Sequence, residues 1–349
     1  MQWYLAGFAV VGVALCLGCN EQPPARCPLT DAPAPQVIPP TADSAVVSGA
    51  VDAAEALLAT LEDPSDVLVD RSRQTIAASW SNLPAGVFGG RAGMRLGALD
   101  ETQRRAALDL VGSVVSPAGF EEIQAIMFAD DFLDSHAHNE FGWSSDNYFV
   151  SIHGQPSRDT PWTLQFSGHH LALNVTVGGD ALSVSPLFLG TEPTTFTWEG
   201  TSYAPMAAKE STIAALVSAL SGEQRATAAG PGGVMEAFMG PGADTCFPEA
   251  MGLPLSSVEP EQRALVENII TTWLGDLPAG LSDELRALYI GQLDQTHLQL
   301  TESATGQAAF MSLNGPRLWL EFLREPGVGT DEVHYHSVYR DKLLDYGPD

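Results

Sequence analysis

Six of the eight histidines in this chain fall into three tight groups: Asp134-Ser135-His136-Ala137-His138, Gly168-His169-His170 and His334-Tyr335-His336. Neutral imidazole is a good ligand for zinc, copper or iron, and three imidazoles around an ion with one open position suit catalysis. Residues two apart on a strand face the same way, so His334 and His336 can converge on one ion if their segment is extended. His169 and His170 are neighbours and would point to opposite faces of a regular strand. Only one of them could then join His334 and His336, unless Gly168 makes a bulge. Such a pair can equally be a hydrogen-bonding pair that locks a turn or a sheet edge. His136 and His138 stand among Asp130, Asp131, Asp134 and Glu140 and read first as part of an acidic surface loop, second as ligands. His153 and His297 stand alone and read as structural.

The same alternation puts His334, His336, Val338 and Arg340 on one strand face, with Asp341 next in line. Arg340 could then anchor a substrate carboxylate or stabilise an oxyanion. Its other role would be a salt bridge to Asp341 or another core acid. Glu192, Glu210, Glu321 and Asp341 are candidate acids, as ligands or general bases, and nothing in the sequence ranks them. There is no GxSxG elbow, HExxH, P-loop or GxGxxG. His136-Ala137-His138 resembles the HxH of metallo-hydrolases, but Asn139-Glu140 follows where metallo-β-lactamases have Asp-His.

The elements that must position these residues alternate in blocks. Helical period runs from Ala42 to Leu133: Ala53, Leu57, Leu58 and Leu61 repeat at helical spacing, and a third helix is expected from Pro117 to about Leu133. Asp100, Ser221 and Glu259 are each followed three residues later by Gln, so three helices should begin there with capping boxes. The surrounding residues do not match, which argues against a solenoid. From Asn147 the period becomes two, through Val150, Ile152, Leu164, Phe166, Leu173 and Val175, with turns or bulges at Gly154, Gly168 and Gly178-Gly179. A second helical block covers about 208–229 and 258–291. A second strand block covers 295–301, 308–313, 317–323 and 332–339. Helices, strands, helices, strands in blocks predict an α+β fold, an antiparallel sheet with helices packed on it in a single large domain over 45–349.

Leu5 to Leu17 is an apolar run of signal-peptide length that ends in Gly18-Cys19, similar to the lipobox of bacterial lipoproteins. Residues 1–19 are expected to be a signal peptide with Cys19 lipidated, although no Lys or Arg precedes the run and Cys16 stands where lipoboxes usually carry Leu. Residues 20–44 contain seven prolines and read as a tether. The protein is thus expected in the cell envelope, lipid-anchored or secreted, touching membrane only through its anchor. In that oxidising setting Cys27 and Cys246 could pair. The chain of 349 residues carries a formal charge of −27 and only two lysines, Lys209 and Lys342. That excludes nucleic-acid binding through clustered cations and docking on anionic lipid through a basic face. A small-molecule or peptide substrate remains.

Four stretches resemble a family known as domain of unknown function 3500. They are Trp80-Ser81-Asn82-Leu83-Pro84 with Arg91-Ala92-Gly93; Asn147 to Pro156; Pro161-Trp162-Thr163-Leu164-Gln165-Phe166-Ser167-Gly168-His169-His170-Leu171-Ala172-Leu173-Asn174; and His334 to Asp341 ending in Asp345-Tyr346-Gly347. The resemblance covers about residue 70 to the C-terminus. It implies that His169, His170, His334, His336, Arg340 and Asp341 belong to the family pattern, and it brings no activity with it. The leading expectation is a metal-dependent hydrolase: His334, His336 and one of His169/His170 hold a divalent ion, zinc first and copper or iron as alternatives. Arg340 anchors an anionic group, and Glu192 or Glu210 acts as base. The alternatives are a copper or iron oxidoreductase, a non-catalytic metal- or ligand-binding module, and a purely structural set of histidines.

Overall fold

A computed structural model describes residues 44–347, apart from 138–140, 179–180, 233, 235, 244–245, 304–305 and 331. His138, Cys19, Cys27 and residues 20–43 of the expected tether lie outside the described residues. The first part of the chain forms α1 (Ser44–Thr60), β1 (Leu68–Val69), α2 (Arg73–Ala78), β2 (Met94–Arg95), α3 (Glu101–Gly112) and α4 (Pro117–His136). Six strands follow: β3 (Phe149–His153), β4 (Trp162–Gly168), β5 (Leu171–Gly178), β6 (Ala181–Thr191), β7 (Phe196–Trp198) and β8 (Thr201–Tyr203). Then come α5 (Ala207–Ala219), α6 (Gly222–Ala228), β9 (Leu253–Pro254), α7 (Pro260–Leu274) and α8 (Ala279–Gly291). The chain closes with β10 (His297–Glu302), β11 (Ala308–Asn314), β12 (Leu318–Pro326) and β13 (Val333–Asp341).

The fold is α+β, and its helix starts follow from local chemistry. At α3, Asp100 accepts from the Gln103 amide while the Gln103 side chain accepts from the Asp100 amide. Ser221/Gln224 at α6 and Glu259/Gln262 at α7 make the same reciprocal box, which satisfies otherwise orphaned first-turn donors. Ser116 caps α4, with Pro117 in the first turn where its missing N–H costs nothing. None of the described helices is long and apolar enough to cross a membrane.

An eleven-stranded sheet runs β1-β3-β4-β5-β6-β13-β12-β11-β10-β9, with β2 on the side of β3. The two meanders, β3 to β6 and β10 to β13, are stitched by the antiparallel pair β6–β13, in which Gly190 faces His336. The pairing of β1 with β3 is parallel, so the sheet is mixed at that edge.

The two faces of the sheet differ. Leu164, Phe166, Leu173, Val175, Leu320, Phe322, Tyr335 and Tyr339 join the helices in the main apolar core. Trp273 on α7 donates its indole N–H to Ser337 at 2.7 Å, and Tyr289 on α8 meets the Tyr339 hydroxyl at 2.9 Å, so the polar groups on this face are paired. The other face carries Thr163, Gln165, Asn174, Thr176, Glu321, Glu325, His334, His336 and Arg340. It is covered by α2, by loops and by the C-terminal segment. Gln165 donates to the Ile76 carbonyl, Thr176 to the Tyr346 carbonyl, and Ser183 to the Leu344 carbonyl. A small second cluster of Trp80, Ala172, Phe188, Met239, Trp319 and Val338 packs there. Alternation therefore separates two buried faces, not a buried face from a wet one: every residue of β4 and β5 is buried. Cys246, in the strap that crosses this second face, is disulfide-bonded.

Candidate metal centre

β4 ends at Gly168 and β5 begins at Leu171, so His169 and His170 form the two-residue turn between them. They are therefore not neighbours on a regular strand, and the opposite-face placement that alternation gives does not apply to them. The turn stacks their rings with centroids 3.7 Å apart. His170 adopts φ +59°, a left-handed conformation that costs a non-glycine residue about 1–3 kcal/mol and persists where surroundings over-determine it. Here its N–H reaches the Asn82 carbonyl at 3.3 Å and its carbonyl accepts from Gly190 N at 2.6 Å. Gly168 is required because the Tyr148 ring occupies the place a Cβ would take, 2.4 Å away.

Across the β6–β13 seam, His334 and His336 project from one face of β13. His336 lies opposite Gly190, and a Cβ there would come within 2.8 Å of the His336 ring and 3.1 Å of the His170 ring. Gly190 thus makes the space in which imidazoles from two hairpins meet. Ring centroids are 5.0 Å apart for His170 and His336, 5.5 Å for His170 and His334, and 4.6 Å for His334 and His336. One ligand nitrogen from each of His170, His334 and His336 can be chosen so that all lie within 4.8 Å of one another. Bonds of 2.0–2.1 Å around a tetrahedral ion need nitrogens about 3.4 Å apart, a closure that small ring rotations supply. These three buried histidines can hold a metal ion.

The polar bookkeeping of the site supports that reading. Both nitrogens of His336, Nδ1 of His334 and Oε1 of Glu325 are buried and have no hydrogen-bond partner. A neutral imidazole carries one N–H donor, and leaving a buried polar group unmatched costs about 1–3 kcal/mol. A cation meeting several lone pairs at once removes that cost. Burial, and after it the neighbouring imidazoles, hold His170 and His336 well below the ordinary histidine range, so both stay neutral and keep their lone pairs. Glu325 faces His334 across the β12–β13 ladder, its Oε2 at 3.2 Å from His334 Nε2 and 3.6 Å from His336 Nδ1. It can be a fourth ligand, or it can accept the Nε2 proton and leave Nδ1 of His334 for the metal.

His169 stands outside this trio and is fixed differently. Its Nδ1 is 2.6 Å from Oδ1 of Asp130, on α4, and Tyr148 O–H reaches Asp130 Oδ2 at 3.0 Å and the His169 carbonyl at 2.7 Å. The carboxylate holds the Nδ1–H tautomer and leaves Nε2 as the acceptor nitrogen. Arg91 braces the approach: its guanidinium donates to the carbonyls of Ser81, Leu83, Phe88 and Gly168, tying the 81–91 loop to the histidine turn. The site opens into a cavity of about 470 Å³, lined by the four histidines, Glu192, Glu236, Glu325, Trp143 and a set of apolar side chains.

The remaining candidates are placed elsewhere or held by other partners. Arg340 shares the strand face of His334 and His336, but it stands four positions along the strand from His336, about 13 Å of rise. Its guanidinium donates to the Met239 and Gly240 carbonyls and to Asp345, and no part of it lines the cavity. Asp341 turns to the helix face, where Arg317, Tyr289 and the Leu343 amide bind it. Glu210, on α5, also lies on that face, 3.7 Å from Arg324. Glu192 reaches the cavity, yet its Oε1 accepts from the Gly329 and Thr330 amides and holds the β12–β13 turn. His136 ends α4 exposed, stacked on Phe132, with Nδ1 2.9 Å from the Phe132 carbonyl. Buried His153 sits 3.1 Å from the Ser151 hydroxyl, and burial lowers its pKa to about 4.

Asp130, Tyr148, Gly190, Glu236 and Glu325 carried no local signal that marks them as site residues. Only the pairing register, which sets Glu325 against His334 and Gly190 against His336, brings two of them in. The family model described as "Protein of unknown function (DUF3500)" matches residues 43–348. No curated protein matches the chain, and no solved structure does.

Proposed function

The chain belongs to the DUF3500 family, and from that premise we propose that it is a metal-dependent hydrolase of the cell envelope, with His170, His334 and His336 holding zinc. The observation that carries the reading is the group of three buried imidazoles, brought from two separate hairpins with ligand nitrogens within 4.8 Å of one another, beside unpartnered nitrogens of His334 and His336 and an unpartnered Glu325 oxygen. A divalent ion on three neutral imidazoles supplies Lewis-acid activation of water at neutral pH. Glu325 orients His334 or completes the ligand set. His169, locked by Asp130 as a donor at Nδ1, keeps Nε2 to accept a proton from the attacking water and to return it to the leaving group. The cavity of about 470 Å³ is of the size that takes a small molecule. The lipobox-like Gly18-Cys19 and the proline-rich stretch after it support export and tethering.

A second reading, a copper or iron oxidoreductase, is favoured by one feature. The first ligands are all imidazole with a carboxylate beside them, a donor set those metals also accept. Metal analysis of the untagged chain by plasma mass spectrometry separates the two. About one zinc per chain, lost in a His334→Ala/His336→Ala double variant that still folds, is the expected result. Copper or iron in that stoichiometry moves the reading to redox chemistry. No metal after reconstitution with zinc, copper or iron sinks both.

A further inference from the structure

The walls of the cavity are sharply divided. Leu83, Val87, Phe141 and Val328 ring its mouth, and they are four of the seven large apolar side chains exposed among the described residues. Isolated exposed apolar residues are ordinary; a cluster around a single opening marks a binding surface. The ring is built and not loosely draped. Gly86 N bonds to the Phe141 carbonyl at 2.9 Å, a Cβ on Gly86 would strike that same carbonyl, and Arg91 holds the rest of the loop. Behind the ring, Phe141 packs against Trp143 at 5.2 Å between centroids.

The charge inside has one sign. Glu192, Glu236 and Glu325 line the cavity, Glu192 with its Oε1 held by the Gly329 and Thr330 amides, and none of the described lining residues is Lys or Arg. Glu325 is 7% exposed with Oε1 unpartnered. Glu236 lines the same cavity, steadied by the Asn82 amide at 3.3 Å. The arginine that could have met an anion, Arg340, is bound to carbonyls and Asp345. With an ion on the histidines balanced by Glu325, the carboxylate of Glu236 is left to face the incoming molecule. Aromatic faces beside a carboxylate suit an ammonium group.

We infer that the cavity takes a hydrophobic ammonium compound, its apolar part against Leu83, Val87, Phe141 and Val328 and its cationic nitrogen at Glu236. This rests on the hydrolase reading for the reaction, but the recognition stands on the lining itself. On that basis the substrate is an ester or amide with an apolar group and a free amine near the bond cleaved. The Glu236 carboxylate disfavours a free carboxylate or phosphate in the place of that amine.

The test is calorimetry on the full chain with phenethylammonium, phenethyl alcohol and hydrocinnamate, which share one apolar group and differ in charge. The ammonium is expected to bind at least about tenfold more tightly than the other two, the size of effect a single charge makes in a half-buried site. Glu236→Gln should erase that preference, and Val87→Ser with Val328→Ser should weaken all three compounds alike. Hydrocinnamate binding as tightly as the ammonium, or a preference that survives in Glu236→Gln, overturns the inference. Metal content measured on the same samples keeps the two proposals apart. A metal-loaded protein without the charge preference refutes this one alone, and a protein that keeps the preference but takes up no metal on reconstitution refutes only the metal reading.

Discussion

The two ends of β13 carry polar side chains at the same density and treat them in opposite ways. At the C-terminal end, Arg340, Asp341 and their partner Asp345 are fully engaged: Arg340 binds two backbone carbonyls and Asp345, and Asp341 binds Arg317, Tyr289 and a backbone amide. At the N-terminal end, His334, His336 and the facing Glu325 are as deeply buried but leave four polar atoms unmatched. One end is a closed network that holds the strap and the C-terminal segment against the sheet. The other is an open set of lone pairs. A buried polar group that is matched inside the chain specifies structure; a cluster of unmatched ones beside a cavity is a place where something outside the chain can bind. Residue type does not separate the two, since Arg340 is as good a candidate for chemistry as His336. The partners do.

The comparison is broken most directly at Arg340. Replacing it with Met leaves Asp345 buried without its main cation and two carbonyls without donors. The expected loss is about 3–5 kcal/mol, that of a buried pair with one partner removed, seen as a large fall in the urea midpoint. His334→Ala in the metal-free chain removes no matched backbone partner, and the same measurement should move far less. If the two variants destabilise equally, the contrast between the ends is wrong.

A second test uses a glutamate on β12. Glu321, toward the closed end, accepts the Phe238 and Met239 amides, and burial pushes its carboxyl up to about 7. Its folded pKa lies above the unfolded one, so the folded state holds the proton more tightly. The stability this contributes is present below about pH 4.5 and is lost as pH rises through 7, at most about 3 kcal/mol in total. Unfolding free energies at pH 5 and pH 8 should therefore converge in Glu321→Gln relative to the parent chain. An unchanged difference would mean that the closed end carries its carboxyl ionised.

Much of this was legible in the order of residues. Asp100, Ser221 and Glu259 with Gln three residues later place helix starts by chemistry that acts within one turn. The period of two through Val150, Ile152, Leu164 and Phe166 places strands. His334 and His336 on one face follow from the pleat alone. The turn at His169-His170 was less legible, because only Gly168 marked it and the left-handed residue is a histidine. Glu325 and Gly190 were not legible, since their part depends on register between strands that are distant in sequence. The bonding of Arg340 to Met239 and Gly240, a hundred residues away, likewise belongs to tertiary packing.

The smallest change sharpens the contrast from the open end. Gly190 is a β6 residue whose Cβ would sit 2.8 Å from the His336 ring and 2.8 Å from the Tyr335 carbonyl. The carbonyl is backbone in the β6–β13 ladder and yields little, so the methyl of Gly190→Ala must displace the imidazoles of His336 and His170. Overpacking of that size costs about 1–3 kcal/mol. The displacement falls on the ligand nitrogens, which a metal needs within a few tenths of an ångström. Metal retention against a competing chelator should thus fall more steeply than thermal stability does. Gly315 provides the control: its Cβ would meet the Thr296 hydroxyl at 2.7 Å, far along the sheet from the histidines. Gly315→Ala should leave metal retention intact whatever stability it costs. Equal loss of retention in both variants would show that the trio responds to the fold as a whole and not to the space Gly190 keeps open.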